Sequence, residues 1–149
     1  MKKLIFITAL LMSNFAISQN YDFKIVTSVE SVVPGGMGRS RIIENGGEVD
    51  YTQFTTTRSK DGKEKTTKDR SDVKIDDLKE STLVNFYSLV GINFQNIASN
   101  DAMMTSLLKK YNNDGWELVH ITSAVESDAG KGDGEGIFIT RFYFRKPIK

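Results

Sequence analysis

Few residues in this sequence could do chemistry, and cysteine is absent. Thiol catalysis, disulfides, iron–sulfur clusters and Cys-type zinc sites are therefore excluded. His120 is the only histidine, so a Ser-His-Asp relay would have to run through it, and two-histidine zinc motifs are excluded. It follows Trp116 and Leu118 at period two, which predicts a structural histidine on a packed face or at its edge. The sequence predicts no catalytic and no metal-ligating residues.

The best candidate site is the glycine-rich stretch from Pro34 to Arg41. Its glycines let successive backbone N–H groups point into one concavity, and its arginines could add charge-assisted bonds to a phosphate, sulfate or carboxylate. A dinucleotide fingerprint is excluded because a third glycine and a following helix are missing. A flexible connection with two solvated arginines is the alternative. The predicted anion-binding residues are Gly35, Gly36, Gly38, Arg39, Ser40 and Arg41.

Oxygen ligands of the kind that calcium takes occur in a second glycine-rich segment, at Glu126, Asp128, Asp133 and Glu135. Their spacing matches neither the EF-hand pattern nor a repeat motif. We therefore expect a hairpin loop there and predict no metal and no cofactor. A carboxylate pair for glycoside hydrolysis is not excluded by spacing, but no feature of the sequence favours it.

Length and charge narrow the class of protein. The chain has 149 residues, 20 Lys+Arg against 19 Asp+Glu, and 39% hydrophobic residues, which indicates one globular domain. A formal net charge of +1 provides no general field for nucleic acid, so no nucleic-acid partner is expected.

Residues 1–18 have the pattern of a cleaved signal peptide. Lys2 and Lys3 precede an apolar run, and Ala16 and Ser18 are small residues at the positions that a signal peptidase inspects. The apolar run is too short to cross a bilayer, which needs roughly 20 residues. No cysteine follows for a lipid anchor. We expect a mature domain from residue 19 to 149, periplasmic or secreted, without a transmembrane anchor.

The first half of the mature chain has β patterns. Apolar residues alternate with polar ones over Tyr21–Val29, and Arg41–Glu44 predicts a second strand. Asn45 and Gly46 favour a tight hairpin turn, with a return strand through 49–54. The following segment, 55–77, is a polar insertion in which Asp61-Gly62 predicts a hairpin with a loose exit. It would be solvated, or alternatively a charged contact surface.

The second half combines strands with one helix. The first part of Leu83–Phe94 is predicted as a strand. The spacing of Met104, Leu107, Leu108 and Tyr111 marks one face of a helix that starts near residues 99–101 and ends near Asp114 and Gly115. Its apolar face is expected to cover a sheet rather than to dock a partner.

Two strands complete the prediction. One covers 116–125, where a switch of apolar side at Leu118 and Val119 favours a central strand or a bulge. The other, Ile137–Lys146, is expected to be central and buried on both faces. The predicted fold is α+β, with a single antiparallel sheet of about five strands, one helix packed on a face, and a protruding polar hairpin or loop.

The sequence resembles a family of small bacterial proteins known as a domain of unknown function. The resemblance rests on the opening Tyr21-Asp-Phe-Lys-Ile-Val, the Gly115-Trp-Glu-Leu-Val element and the closing Phe144-Arg-Lys-Pro. The stretch from Pro34 to Arg41, with Val90-Gly-Ile-Asn-Phe, is similar to uncharacterised secreted proteins of Bacteroidetes-type bacteria. The resemblance implies this α+β fold and carries over no catalytic residues. The signal peptide and the polar insertion depart from the typical family member, which is shorter and cytoplasmic.

Three functional hypotheses follow from these features. The first is a non-enzymatic binding or interaction module of the cell envelope, which meets an anionic small ligand or a partner protein. The second is a secreted inhibitor whose hairpin inserts into a partner's cleft. The third is a hydrolase that uses His120 or a carboxylate pair.

Overall fold

The computed structural model describes residues 19–31, 40–64, 68–88, 90–126 and 136–148. Two short 3-10 helices cover Tyr51–Phe54 and Arg70–Val73. The strands and the α-helix, in chain order, are β1 (Tyr21–Ser31), β2 (Arg41–Asn45), β3 (Thr57–Ser59), β4 (Gly62–Glu64), β5 (Leu78–Thr82), β6 (Tyr87–Ser88), β7 (Gly91–Ile92), α1 (Phe94–Asn113), β8 (Glu117–Val125) and β9 (Ile137–Pro147).

Five strands form one antiparallel sheet in the order β5-β2-β1-β9-β8, and α1 packs on it. The architecture is α+β, as the sequence predicts. The closing strand β9 lies beside the opening strand β1 over eleven residue pairs, so the two ends of the domain form the middle of the sheet. No helix in the described ranges is long and apolar enough to cross a membrane.

The core lies between α1 and one face of the sheet. Tyr111 of α1 stacks on Phe144 of β9 with ring centroids 4.7 Å apart, and both side chains are almost completely buried. A buried aromatic pair of this size stabilises the domain through both area and ring geometry. The other core residues are Val26, Ile42, Leu83, Leu107 and Phe142.

The opposite face of the sheet is open. Side chains alternate between the faces of a strand, so Phe23 and Ile25 lie on the face away from Val26. Phe23 is 70% exposed and Ile25 is 46% exposed. The expectation that β9 is buried on both faces was wrong, because the described part of the chain provides one α-helix and it covers one face only.

The predicted hairpin turn at Asn45-Gly46 was also wrong. The partner of β2 on its outer side is β5, and the segment 49–54 forms a 3-10 helix instead of a return strand. The Gly46 N–H donates to the carbonyl of Asp77, 3.0 Å away, so the chain after β2 runs alongside the segment that precedes β5. A Cβ on Gly46 would lie 2.8 Å from that carbonyl oxygen, so this approach requires glycine.

The helix begins earlier than its apolar spacing predicts. Asn93 is the N-cap, and its Oδ1 accepts from the N–H groups of Gln95 and Asn96. The first part of Leu83–Phe94 was predicted as a strand, but the strands in this segment are the short β6–β7 hairpin, which lies in its later part. The apolar residues of this segment are divided between the β6–β7 hairpin and the first turn of α1.

Two further predictions are confirmed. The polar insertion contains the β3–β4 hairpin, which turns at Lys60 and Asp61. The register of β8 against β9 shifts between Leu118 and His120, which is the predicted bulge. However, β8 is an edge strand, and all its residues are exposed.

Candidate functional site at the β1–β2 notch

The strands β1 and β2 separate before β1 reaches its N-terminal end. Their ladder stops at the pair Val26 and Glu44, whereas β1 continues to pair with β9 as far as Tyr21. In the described part of the chain, Tyr21–Ile25 therefore have a strand neighbour on one side only. A cavity of about 550 Å³ lies beside this stretch, and we call it the β1–β2 notch.

The notch has one wall formed by β1, a second wall formed by β2 and the residues after it, and a floor formed by Trp116, which follows α1. Asp22–Ile25 and Thr27 form the β1 wall, and Ile43 with Asn45–Glu48 forms the opposite wall. Trp116 contributes the aromatic surface. The cavity thus offers aliphatic, aromatic, amide and charged groups together, which is the mixture usual in ligand pockets.

The glycine pair of the second wall lies against the segment that precedes β5. Gly46 is bonded to Asp77, as described above, and a Cβ on Gly47 would lie 3.2 Å from the side chain of Ile75. Both residues therefore sit against the segment that precedes β5. That contact holds the chain beside the β5 side of the sheet, and the ladder between β1 and β2 ends at Glu44, just before this pair.

The end of α1 places Trp116 in the notch. Gly115 has a φ of +83°, a left-handed conformation that favours glycine, and the Trp116 N–H donates to the carbonyl of Tyr111, 2.9 Å away. This closure turns the indole back over the helix, with its ring centroid 6.4 Å from that of Tyr111. The predicted helix end at Asp114 and Gly115 is confirmed by this geometry.

Three lysines surround the aromatic pair. The Nζ of Lys24 lies 5.2 Å from the Trp116 ring centroid and 5.7 Å from that of Tyr111. Lys110 lies 4.8 Å from the Tyr111 centroid, and Lys146 lies 5.9 Å from that of Trp116. Each distance is within the range of a cation–π contact. Lys24 makes no ion pair with another described residue, so its charge faces the notch with only aromatic partners.

The buried hydroxyl of Tyr111 is held by a carboxylate. It donates to the Oε2 of Glu44 at 2.5 Å, and Glu44 also lies 3.7 Å from the Nζ of Lys79. Burial raises the pKa of Tyr111 above its ordinary value, and the hydrogen bond and negative charge of Glu44 raise it further. Tyr111 is thus a neutral donor that fixes the aromatic floor rather than a proton-transfer group.

The predicted anion site is only partly within the described residues, which include Ser40 and Arg41 but not Gly35, Gly36, Gly38 or Arg39. The buried Ser40 accepts from the Ser31 N–H through its Oγ, 3.0 Å away. The Nη1 of Arg41 donates to both carboxylate oxygens of Glu80, at 2.8 and 2.7 Å. Both described members of the site thus have structural contacts, and neither lines the β1–β2 notch.

His120 was expected on a packed face or at its edge, and the structure places it on the edge strand rather than on a packed face. It is exposed on β8, where its ring lies 5.7 Å from that of Tyr143. Within the described ranges, its imidazole makes no hydrogen bond to an acid or hydroxyl. The described residues also contain no group of three or more histidines and acids that could hold a metal ion. Of the four acidic residues considered as calcium ligands and not predicted to bind a metal, only Glu126 lies in the described part of the chain.

Sequence patterns did not identify the notch. Asn45, Gly46 and Gly47 carried a signal, but turn statistics assign an Asn-Gly pair to a hairpin. Lys24 and Trp116 were part of strand patterns and of the family resemblance, and neither was predicted to line a ligand site. Gly46, beside the point where the two strands separate, bonds to Asp77, which is distant from it in sequence.

No protein-family model matches the sequence, and neither a curated protein nor a solved structure matches it. The resemblance to a family with a Gly-Trp-Glu-Leu-Val element therefore stays a prediction. The fold and the cavity define an α+β domain in which polar and apolar side chains line a notch where the neighbouring strands β1 and β2 separate.

Proposed function

We propose that this protein is an exported, non-enzymatic binding module that holds its ligand in the β1–β2 notch. The observation that carries the proposal is the interrupted ladder, which leaves a cavity of about 550 Å³ between two strands of the sheet. Ligand pockets usually measure about 300–1,000 Å³. Binding is favoured over hydrolysis because His120 lacks a described acid or hydroxyl partner.

The position of β1 supports export. The first strand begins at Tyr21, just after the predicted cleavage position, so loss of residues 1–18 leaves every described strand complete. Expression of the full chain in a bacterium, with mass spectrometry of the periplasm and medium, tests this step. We expect a chain that begins near Gln19, and a cytoplasmic product that keeps residues 1–18 would contradict export.

Binding can be measured with Trp116, the only tryptophan of the sequence. Because the indole lines the notch, an occupant should change its fluorescence. The probes are phosphorylated sugars, polyanions and short peptides, with thermal unfolding as a second readout. Lys24→Ala should weaken any response, whereas the matched control Lys60→Ala removes an exposed lysine from the β3–β4 turn, which does not line the notch. If no probe alters the fluorescence or the melting temperature, the binding proposal falls.

The anion version of the proposal uses the glycine-rich loop instead of the notch. Arg41 already donates to Glu80 through Nη1, and the negative charge of that carboxylate opposes binding of an anion to the same guanidinium. Equal melting of wild type and the Arg39→Ala plus Arg41→Ala variant, with and without phosphorylated sugars, would exclude this version.

A secreted inhibitor is a second candidate, favoured by the exposure of the β3–β4 hairpin. Every residue of Thr57–Ser59 is exposed, and β3 pairs with β4 alone. Deletion of Ser59–Asp69 should abolish inhibition of a partner and leave unfolding of the five-stranded sheet unchanged. Unchanged inhibition after the deletion would contradict this alternative.

A further inference from the structure

We propose that the occupant of the β1–β2 notch is an extended polypeptide segment that adds a strand beside Tyr21–Ile25. The inference rests on the proposed binding function and specifies its ligand. Strand addition to an exposed edge is an established mode of peptide recognition, in which main-chain hydrogen bonds provide affinity and alternate side chains provide specificity. The chemistry of both walls supports this mode.

The backbone groups of the β1 wall point into the notch at alternate residues. The Ile148 N–H donates to the carbonyl of Asn20, which places the even-numbered groups of β1 toward β9. The Ser31 N–H donates to Ser40, on the β2 side, which places the odd-numbered groups there. In an antiparallel ladder this alternation continues along the strand. The N–H and C=O groups of Tyr21 and Phe23 therefore face the notch.

The opposite wall has the same arrangement. The Gly46 N–H points to Asp77, beside β5, so the neighbouring odd-numbered residues Asn45 and Gly47 direct their backbone groups toward β1. If the ladder with β1 continued, Asn45 and Gly47 would pair with Ile25 and Phe23. The two walls therefore direct main-chain N–H and C=O groups toward each other across the notch, without pairing.

Both walls cap an N–H group with a nearby side chain. The Phe23 N–H donates to Oδ1 of Asp22 at 2.9 Å, and the Gly47 N–H donates to Oδ1 of Asn45, also at 2.9 Å. These are local bonds between close neighbours in sequence, and a side-chain rotation releases them. An edge whose donors are capped in this way is protected while empty and can exchange its caps for an added strand.

The side chains around the notch define the peptide. Phe23, Ile25 and Ile43 present apolar surface on the open face, so alternate residues of the peptide should be apolar. The lining also contains Lys24, Trp116 and the acidic residues Asp22 and Glu48, a mixture that favours polar side chains without selecting one charge. Tyr21–Ile25 is about 17 Å long as a strand, which sets the contact at about five residues.

The other long free edge, β8, is a weaker candidate. It is exposed along its length, but the bulge between Leu118 and His120 interrupts its register. Bulges are a common means of preventing strand addition. The described cavity also lies at β1 and not at β8.

The test uses the peptide acetyl-Val-Thr-Val-Thr-Val-amide and the same peptide N-methylated at every residue. Methylation keeps the side chains and removes the N–H donors. The unmodified peptide should change Trp116 fluorescence and slow amide hydrogen exchange at Phe23 and Ile25, while exchange at Lys24, which faces β9, stays unchanged. The methylated peptide should bind at least about tenfold more weakly, the equivalent of one or more lost hydrogen bonds.

A matched pair of variants tests the protein side. Phe23→Pro removes the side chain and the N–H that faces the notch, and proline is tolerated where a strand N–H has no ladder partner. Phe23→Ala removes the side chain only. We expect peptide affinity of Phe23→Pro to fall about tenfold below that of Phe23→Ala, with similar melting temperatures. Asp22→Ala, which removes the competing cap, should increase affinity or leave it unchanged.

The outcomes separate this inference from the proposed function. Equal binding of both peptides, or equal affinity of the two Phe23 variants, would overturn strand addition and leave the notch as a binding site. A fluorescence response to sugars or polyanions but not to the peptide would also overturn strand addition and leave the notch as a binding site. If no probe of any class affects Trp116, both proposals fail. If Phe23→Pro unfolds, the exchange rates in wild type decide the question.

Discussion

The side chain of Asn100 pairs with the backbone of Val84 as a second strand would. Its Oδ1 accepts from the Val84 N–H at 2.9 Å, and its Nδ2 donates to the Val84 carbonyl at 2.8 Å. The same Nδ2 lies 3.1 Å from a carboxylate oxygen of Glu30 on β1. Asn100 thus connects α1 to the chain after β5 and to the sheet, and its side chain is almost fully buried.

We expect Asn100→Ala to lower the free energy of unfolding by about 1–3 kcal/mol, because both backbone groups of Val84 lose a partner. Urea unfolding followed by circular dichroism measures this. Asn112→Ala, at an exposed position of the same helix, is the matched control and should stay within about 0.5 kcal/mol of wild type. Equal stability of the two variants would show that the Asn100 pairing contributes nothing.

Two phenylalanines of the sheet should respond differently to the same truncation. Phe144 is 1% exposed beneath α1, so Phe144→Ala should cost about 3–5 kcal/mol in unfolding free energy. Phe23 lies on the open face, and Phe23→Ala should cost less than about 1 kcal/mol. Chemical denaturation of both variants checks the contrast. A large cost at Phe23 would mean that the open face is covered in solution.

Substitution of Gly115 should disturb the notch through Trp116. Gly115→Ala forces a side chain into a left-handed conformation and should cost about 1–2 kcal/mol. Gly115→Asn should cost less, since asparagine tolerates that conformation better. Thermal unfolding measures stability, and the Trp116 emission maximum measures the indole environment. Identical losses for alanine and asparagine would contradict the conformational explanation.

The raised pKa of Tyr111 predicts a loss of stability in alkali. The unfolded chain releases the tyrosine proton near pH 10, whereas the folded state retains it, so the unfolded state binds fewer protons above that pH. The contribution of Tyr111 is complete below about pH 10 and decreases as pH rises toward its folded-state value.

Tyr111→Phe should remove this alkaline component. Unfolding free energies of wild type and variant, measured by urea unfolding on both sides of pH 10, should converge as pH rises. Tyr51→Phe is the control, since Tyr51 is 78% exposed. It should leave the alkaline slope unchanged. A constant difference between wild type and Tyr111→Phe at all pH values would contradict the prediction.

Local patterns were sufficient for much of the fold. The strand β1, the apolar face of α1, its end at Gly115 and the bulge at Leu118 follow from residue types within a few positions of each other. The alternation in β1 did not identify the core face, because Phe23 and Ile25 lie on the open face and Val26 faces the core.

Local patterns fail where a partner is distant in sequence. The Asn45-Gly46 pair favours a turn by itself. In the structure the Gly46 N–H donates to the carbonyl of Asp77 instead, and the chain runs alongside the segment that precedes β5.

The candidate site also combines features that local sequence determines with features that depend on contacts between distant segments. The sequence determined an α+β domain without cysteine chemistry, with one histidine and an amphipathic helix, because these depend on composition and short-range periodicity. Only the tertiary structure decided that Lys24 meets Trp116 and that β1 and β2 separate at Val26 and Glu44. Those relationships arise from contacts between segments distant in sequence, which compete with local preference and outweigh it where they pair main-chain and side-chain groups across the fold.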